Sequence, residues 1–128
     1  MPRLPALVAS LVLVLAVPPA WADHGGEGGG GDVRVAGTCG KGATSKLRLK
    51  SEDNRIEVRF EIEHIRFAGR WRVTVVQEGR VAYRGSYRAR RSFEIRRRLH
   101  DLSGADRVSV RALGPRGLTC SAGATLPG

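Results

Sequence analysis

The sequence predicts an all-β protein, an antiparallel β-sandwich of about seven to eight short strands. Apolar and polar residues alternate through most of the chain, and this alternation places the apolar side chains on one face of each strand. Turn-forming residues recur at close intervals between the alternating runs, as is typical of sandwiches. No run shows a convincing helical period, so a helical or mixed fold is not expected.

The alternating runs give the predicted elements in chain order. Strands are predicted at 33–39, 45–50, 55–65, 70–77, 80–87, 92–99, 106–113 and 118–121. The run that begins at Arg55 is the longest, and it places Ile56, Val58, Phe60 and Ile62 on one side. A helix would scatter these four side chains around its circumference, so a half-buried strand is the better interpretation.

The stretch from Arg70 to Tyr87 is the clearest structural signal. Two alternating runs flank Glu78-Gly79, a connection short enough to form a β-hairpin. The side chains predicted to face inward on its two strands are Trp71, Val73, Val75, Val81 and Tyr83. Gly85 in the returning strand marks either a bulge or a close backbone approach.

Arg97 interrupts the alternation of the strand at 92–99. It has the same parity as Phe93, Ile95 and Leu99, which are predicted to face inward. Two explanations remain open at this point. Either a bulge shifts the register, or Arg97 lies at an open edge of the sheet.

The first 22 residues have the organisation of a secretory signal peptide. Arg3 precedes an almost unbroken apolar run at 4–17, and Ala20-Trp21-Ala22 supplies the small residues for cleavage after Ala22. The apolar run is shorter than the roughly 20 residues of a membrane span, and no second run follows. We therefore expect a secreted, extracellular protein without stable membrane insertion.

Four segments follow from these observations. They are a signal peptide at 1–22, a flexible glycine-rich tail at 23–32, a sandwich domain at 33–121 and a frayed C-terminal tail at 122–128. The glycine-rich segment contains too few apolar residues to order itself. The remaining length is sufficient for one domain and too short for two.

Two cysteines in an exported chain predict one disulfide, between Cys39 and Cys120. They lie in the first and last predicted strands, 81 positions apart, so the bridge encloses nearly the whole domain. A redox-active pair typically has a short spacing such as CxxC, which is absent from this sequence.

The chain is strongly basic, with 22 basic and 12 acidic residues and a net charge of +10. Such a charge attracts polyanions. Because the chain is predicted to be exported, the expected partner is a cell-wall polyanion or an acidic protein, and nucleic acid is not expected. Only Lys41, Lys46 and Lys50 are lysines, and a high genomic G+C content produces the same bias toward arginine without any selection for binding.

Four arginines are the candidate residues for an anionic partner: Arg72, Arg84, Arg88 and Arg96. They share one neighbourhood if the strand at 80–87 pairs with the strand at 92–99. Aromatic residues lie between them in sequence and offer stacking surfaces, although the hydrophobic core also claims Tyr83 and Phe93.

The patterns for metal binding and cofactor binding are weak. His24, His64 and His100 do not have the spacing of metal ligands, and the two cysteines are expected to pair with each other. The glycines at 25–31 neither follow a strand nor open a helix, so they do not form a phosphate loop. The sequence therefore predicts no metal site and no cofactor.

Two local groups could support hydrolysis, and neither is specific. His100, Asp101 and Ser103 lie close in sequence, but no nucleophile elbow accompanies them. Glu61 and Glu63 lie on one face of a strand about 7 Å apart, in a run of mixed charge. We predict no catalytic residues.

Several segments resemble a known group of proteins. They are GTC at 37–39, RIEVRFEIE at 55–63, RWRVTVVQEGRVAYRG at 70–85, GADRVSVRA at 104–112 and the late Cys120. Together they are similar to small secreted proteins of high-G+C Gram-positive bacteria that lack an assigned function. This resemblance implies export and a sandwich fold, and it supplies no catalytic or binding residues.

A more distant resemblance connects the chain to immunoglobulin-like and fibronectin type III domains. It rests on Trp71 in a central strand and on the DRVSV strand at 106–110, and it implies an immunoglobulin-like sandwich. The cysteines depart from that pattern, because an immunoglobulin domain bridges its second and sixth strands whereas here the terminal strands are joined.

Three functional hypotheses follow. The first is a secreted, non-enzymatic binding or surface-interaction module whose basic face meets anionic partners. The second is a small secreted hydrolase that uses His100, Asp101 or the pair Glu61 and Glu63. The third is a secreted protease inhibitor that presents a protruding loop at 88–92.

Overall fold

The computed structural model describes residues 31–128, which form two antiparallel β-sheets packed face to face. The predicted all-β sandwich is confirmed. The described residues contain nine strands instead of seven or eight, because the first predicted strand is divided into two. The predicted signal peptide and most of the glycine-rich tail lie outside the described residues.

The strands have the following bounds. They are β1 (Asp32–Ala36), β2 (Thr38–Cys39), β3 (Thr44–Glu52), β4 (Arg55–Glu63), β5 (Gly69–Gln77), β6 (Arg80–Ala89), β7 (Phe93–His100), β8 (Asp106–Leu113) and β9 (Thr119–Leu126). A short 3-10 segment, Pro115–Gly117, precedes β9. One sheet has four strands in the order β1-β3-β4-β7, and the other has five in the order β2-β9-β8-β5-β6.

Two hairpins are closed by two-residue turns. Asp53 and Asn54 connect β3 to β4, and Glu78 and Gly79 connect β5 to β6. All four residues have positive φ angles, between 49° and 77°. Turns of this type match the right-handed twist of the strands that they join. The hairpin predicted around Glu78-Gly79 is therefore confirmed.

The chain changes sheets at Gly37. β1 pairs with β3 in the four-stranded sheet, whereas β2 pairs with β9 in the five-stranded sheet. The Gly37 backbone N–H donates to the Ser45 carbonyl at 2.9 Å. A Cβ atom at position 37 would lie 2.6 Å from the Ser121 carbonyl oxygen, so only glycine fits this crossing without displacing backbone.

The four-stranded sheet has a different connectivity from that of an immunoglobulin domain. In that fold the second strand lies beside the fifth. Here β3 lies beside β4, its immediate successor in the chain. The molecule therefore shares the two-layer architecture of immunoglobulin-like domains, while the path of the chain through this sheet differs.

The core lies between the inner faces of the two sheets, and Trp71 is its largest fully buried side chain. The Trp71 side chain is fully buried, and its ring lies 5.5 Å from the ring of Phe93 in the opposite sheet. Gly114 closes against the same ring, since a Cβ atom there would lie 2.6 Å from Cζ2 of Trp71. The alternating aliphatic residues of β3, β4, β5 and β8 fill the space around it.

The prediction that Val81 faces inward is wrong. The β5–β6 register shifts between Val75 and Val76, so that Val75 pairs with Tyr83 and Val76 pairs with Val81. Ala82 is the additional residue of this bulge. A bulge reverses the parity of the residues beyond it, and Val81 accordingly is 50% exposed on the outer face.

Gly85 accommodates the side chain of Tyr83, whose ring and hydroxyl occupy the space that a Cβ atom at position 85 would need. The bulge that Gly85 was expected to mark lies three positions earlier in the chain. Neither of the two sequence interpretations is therefore correct, because the group that approaches Gly85 is a side chain and not backbone.

Arg97 lies on an open edge, as the second of its two explanations predicted. β7 is an outermost strand of the four-stranded sheet, and its pairing with β4 contains no register shift. The Arg97 guanidinium lies 4.0 Å from the centre of the Tyr83 ring in the other sheet. A cation over an aromatic ring is attracted to its face, so Arg97 covers the side of the sandwich.

The C-terminal segment is ordered and differs from the frayed tail that was expected after Ser121. β9 continues to Leu126 and pairs with β8 along its whole length, from Thr119 with Leu113 to Leu126 with Asp106. Leu126 is 1% exposed. The small residues of this segment hid its alternation, in which Ala122, Ala124 and Leu126 face the core.

The predicted disulfide between Cys39 and Cys120 is confirmed. The two cysteines are directly opposite each other in β2 and β9. Because β2 has only two residues, its pairing provides few hydrogen bonds, and the disulfide supplies the main restraint on this edge. A disulfide is typical of proteins that fold in an oxidising, extracellular environment.

Removing the disulfide should destabilise the fold by about 4 kcal/mol, because it closes a loop of 81 residues whose entropy in the unfolded chain it restricts. The measurement is urea unfolding of the oxidised protein and of the variant Cys39→Ala, Cys120→Ala. A loss below about 1 kcal/mol would contradict the chain-entropy account.

Candidate functional site

The two sheets carry their charges differently. The strands of the five-stranded sheet contain seven arginines, all of them exposed: Arg70, Arg72, Arg80, Arg84, Arg88, Arg107 and Arg111. The single acidic residue in these strands is Asp106, which is 1% exposed and faces inward. The outer surface of this sheet is therefore basic along its strands.

The four-stranded sheet has a mixed outer face. Its acidic residues are Asp32, Glu52, Glu57, Glu61, Glu63 and Glu94. Within residues 31–128, every ion pair lies on this sheet. Four of its arginines therefore pair with acids, whereas the strand arginines of the five-stranded sheet form no ion pair within the described residues.

One row of the four-stranded sheet shows how like charges are offset. Arg34, Arg48, Arg59 and Arg96 lie directly opposite one another across all four strands. Like charges in such positions destabilise a sheet. Asp32 contacts the first two, with Arg48 Nη2 at 2.8 Å, and Glu94 contacts the last two.

The pKa values of Asp32 and Glu94 reflect these contacts with arginine. The hydrogen bond from Arg48 holds the pKa of Asp32 below its usual value. The hydrogen bond from Arg96 does the same for the pKa of Glu94. Both acids remain charged beside their arginines at neutral pH, so this row is not a free basic surface.

The five-stranded sheet arranges five outward arginines in a band that we call the arginine track: Arg70, Arg72, Arg84, Arg88 and Arg111. Arg70 is opposite Arg88, and Arg72 follows two residues later, opposite Ser86. We call each row of outward residues across the strands a level. At the next level Thr74 lies between Arg84 and Arg111. Successive levels are about 7 Å apart, because outward positions recur every second residue.

A shallow hollow lies within the arginine track. It is lined by Arg72, Thr74, Arg84, Ser86 and Leu113. The register places Arg72 beside Ser86 and Thr74 beside Arg84, so the two guanidiniums stand at opposite corners with a hydroxyl at each of the others. Guanidiniums and hydroxyls are donors that suit the oxygen atoms of phosphate and carboxylate groups.

Three of the four arginines predicted as a binding face lie together. Arg72, Arg84 and Arg88 belong to the arginine track, whereas Arg96 lies on the outer face of the other sheet and pairs with Glu94. Arg96 does not share this neighbourhood, because β6 and β7 do not pair. The chain between them crosses from one sheet to the other.

Sequence reasoning missed Arg70 and Arg111 as members of this face. Their outward parity was readable from the alternation of their strands. Their proximity to Arg84 and Arg88 depends on β5 lying between β6 and β8. No local signal reports that β5 and β8, which are more than 30 positions apart, are neighbours.

The residues proposed for hydrolysis lie at the end of β7 and in the loop that follows it. His100 is exposed, and its backbone carbonyl accepts from Gln77 Nε2 at 2.7 Å. The Asp101 carboxyl lies beside that of Asp106. Ser103 is exposed in the β7–β8 loop. These contacts fix the loop against the end of β5.

The two glutamates proposed as a pair are also arranged differently. Glu61 is directly opposite Glu94, and the hydrogen bond between their carboxyl groups raises the pKa of Glu61. Glu63 lies one outward position further along β4. The carboxyl contact thus joins neighbouring strands on the mixed-charge face.

The loop proposed for protease inhibition is a tight connection. Three residues, 90–92, lie between β6 and β7. The Ile65 N–H donates to the Arg91 carbonyl at 2.9 Å, which ties this turn to the β4–β5 loop. Such a turn is too short to present an extended segment to a protease.

The described part of the chain offers neither a metal site nor a membrane-spanning helix. Residues 31–128 contain no group of three or more His, Cys, Asp or Glu side chains placed to hold a metal ion. Over the same range, no helix has the length and apolar character that crossing a membrane requires. Comparison with protein-family models, curated proteins and solved structures gives no match.

Asp106 should give the fold a specific dependence on pH. Burial raises the pKa of Asp106, and the neighbouring Asp101 raises it further, against a hydrogen bond from Gln77. A raised pKa means that the native state holds this proton more tightly than the unfolded state. The contribution of Asp106 to stability is therefore complete below about pH 4 and declines as pH rises through the folded pKa.

The variant Asp106→Asn tests this dependence because its amide is neutral at every pH. Over the range from about pH 3 to pH 7, the free energy of unfolding of the native protein, minus that of the variant, should stay constant up to about pH 4 and fall above it. The measurement is urea unfolding across that range, with Asp53→Asn as the same charge change in an exposed turn. A difference that rises with pH would show that Asp106 is stabilised as the charged form.

Proposed function

We propose that this protein is a secreted, non-enzymatic binding module whose arginine track holds a linear anionic polymer of the cell wall. The supporting observation is the separation of charge between the two sheets. All ion pairs of residues 31–128 lie on the four-stranded sheet, and the strands of the five-stranded sheet expose arginines without acidic partners.

This separation argues against genomic composition as the complete explanation of the charge. A bias toward arginine codons raises the number of arginines wherever a polar residue is tolerated. It does not place six acidic residues on the strands of one sheet and a single buried one on the strands of the other. A requirement for a uniformly basic surface does account for this placement.

The shape of the surface favours a polymer over a small anion. The arginine track is an open sheet face with charges at repeated intervals, and its hollow is shallow. A single anion would make few contacts there, and each exposed contact contributes little free energy. A polymer gains from several weak contacts at once, because each contact after the first forms at a high effective concentration.

The cellular location supports the same class of ligand. The N-terminal apolar segment and the disulfide fit an exported protein. Outside the cytoplasm, wall polymers with phosphate or carboxylate groups are abundant polyanions. An acidic protein would need a complementary rigid surface, and the regular spacing of the track favours a flexible linear chain.

Replacing Arg72, Arg84 and Arg88 with serine should weaken binding to a purified polyol-phosphate wall polymer by roughly 3- to 150-fold at low salt, since each exposed ion pair contributes about 0.2–1 kcal/mol. The slope of log K against log salt should become shallower by about 2, because about three fewer counterions are released. Calorimetric titration at several salt concentrations measures both quantities.

The matched control removes three charges from the other sheet: Lys50→Ser, Arg55→Ser and Arg98→Ser. These residues are exposed and stand near Glu52 and Glu57, and the net charge of this variant equals that of the first. Its affinity should remain within about threefold of the native protein. Equal losses in the two variants would show that net charge alone attracts the polymer.

Arg88→Thr should increase the free energy of unfolding by about 0.2–1 kcal/mol while it weakens polymer binding. Arg88 is directly opposite Arg70, so the substitution removes a repulsion between like charges, and threonine suits a strand. The expected gain shrinks at high salt because the repulsion is screened.

The comparison for this prediction is Arg96→Thr, also on the outer face of an edge strand. Arg96 pairs with Glu94, so its loss should lower the free energy of unfolding. Urea unfolding at low and high salt measures both variants. If Arg88→Thr were the more destabilising of the two, the repulsion assigned to the arginine track would be wrong.

A further inference from the structure

The arginine track continues beyond the sheet into a cleft. The β4–β5 loop at 64–68 and the β6–β7 turn at 90–92 lie against each other at one end of the sandwich. Between them is a cleft whose charged lining consists of four exposed arginines, Arg66, Arg88, Arg90 and Arg91. The remaining lining residues are small or apolar, and none is acidic.

Arg88 connects the cleft with the sheet. It is the outward residue of β6 opposite Arg70, and it also lines the cleft. The basic surface therefore runs without an acidic residue from the cleft, past Arg88 and Arg72, to the level of Arg84 and Arg111.

At its opposite end, the arginine track ends at a row of uncharged residues. Beyond Arg84, the outward positions are Val76 and Val81, with Ser109 on the neighbouring strand. The arginines further on, Arg80 and Arg107, lie near the β5–β6 turn, where Glu78 Oε1 accepts from the Arg107 backbone N–H at 2.6 Å. The continuous basic surface thus has one closed end and one end that opens into the cleft.

We infer that the polymer lies parallel to β5 and β6, that it enters through the cleft, and that it carries one anionic group about every 7 Å. This inference rests on the proposed function and specifies its ligand. A path along the strands meets three levels of arginines and then the cleft. A path across the strands meets only Arg84 and Arg111 at the level of Thr74.

The length of the track sets the number of repeats that it holds. Arg84 and Arg88 are four residues apart on β6, or about 14 Å, which spans three anionic groups at 7 Å intervals. Arg90 and Arg91 extend the basic surface by two to three residues, or about 7–10 Å, which is enough for one further group. The site therefore accommodates about four repeats, each bearing a single phosphodiester or carboxylate.

The test uses the folded protein and polyol-phosphate oligomers of two to ten repeats, titrated by calorimetry at fixed low salt. Affinity should rise steeply up to about four repeats and then change by less than about threefold. A plateau at two repeats would indicate a path across the strands and would overturn the inference. A rise that continues without a plateau to ten repeats would also overturn it.

Two double variants locate the polymer. Arg90→Ser with Arg91→Ser removes cleft charges and should weaken binding of a hexamer by roughly three- to thirtyfold, with less than half that factor for a trimer. Arg80→Ser with Arg107→Ser removes two charges beyond the Val76 level and should change both affinities by less than twofold. Equal effects of the two double variants would contradict the assigned path.

A second oligomer series separates phosphate from carboxylate as the anionic group. Uronate oligomers of the same lengths, with one carboxylate per repeat, are titrated under the same conditions. A plateau at about four repeats in either series supports the inference, and the tighter series identifies the anionic group. If no oligomer or polymer binds the native protein, the proposed function itself fails. If the oligomers bind with a different dependence on length, only the inferred path of the polymer is wrong.

Discussion

The packing of two apolar sheet faces around Trp71 is the constraint on which the rest of the structure depends. The indole is fully buried between the sheets, with Phe93 across the interface and Gly114 against its ring. Because every strand contributes alternate side chains to this core, the intervening residues must all face solvent. The position of each charge in the molecule is thus decided by which sheet its strand joins.

The two outer faces differ in whether acidic residues offset the charges of their arginines. On the four-stranded sheet, Asp32 and Glu94 offset the repulsion among four opposed arginines. The lowered pKa values of the two acids reflect these contacts. On the five-stranded sheet, Arg70 faces Arg88 without an acid on the neighbouring strands. One molecule therefore contains both a compensated and an uncompensated basic surface. The uncompensated surface is costly to folding, and a bound polyanion would offset that cost.

Local patterns were sufficient for much of the fold and for part of the site. Alternation identified the strands and their inner faces, and Glu78-Gly79 identified its hairpin. The errors arose where a pattern was hidden or a contact was distant. Small residues concealed the end of β9, and the bulge at Ala82 reversed the side of Val81. Arg96 was grouped with arginines of the other sheet because sequence order does not reveal that the chain changes sheets after β6.

The same distinction explains why the number of arginines alone carried little information about function. Composition reports how many guanidiniums the chain has, and a genomic bias can set that number. The fold decides which of them have acidic neighbours, and this depends on pairings such as β5 with β8 that join distant parts of the chain. Arg59 and Arg84 are chemically identical, and both face outward from their strands. Arg59 stands 3.4 Å from Glu94, whereas the strands next to Arg84 offer it Thr74 and a further arginine, Arg111. Only the second arrangement leaves the charge available to a ligand.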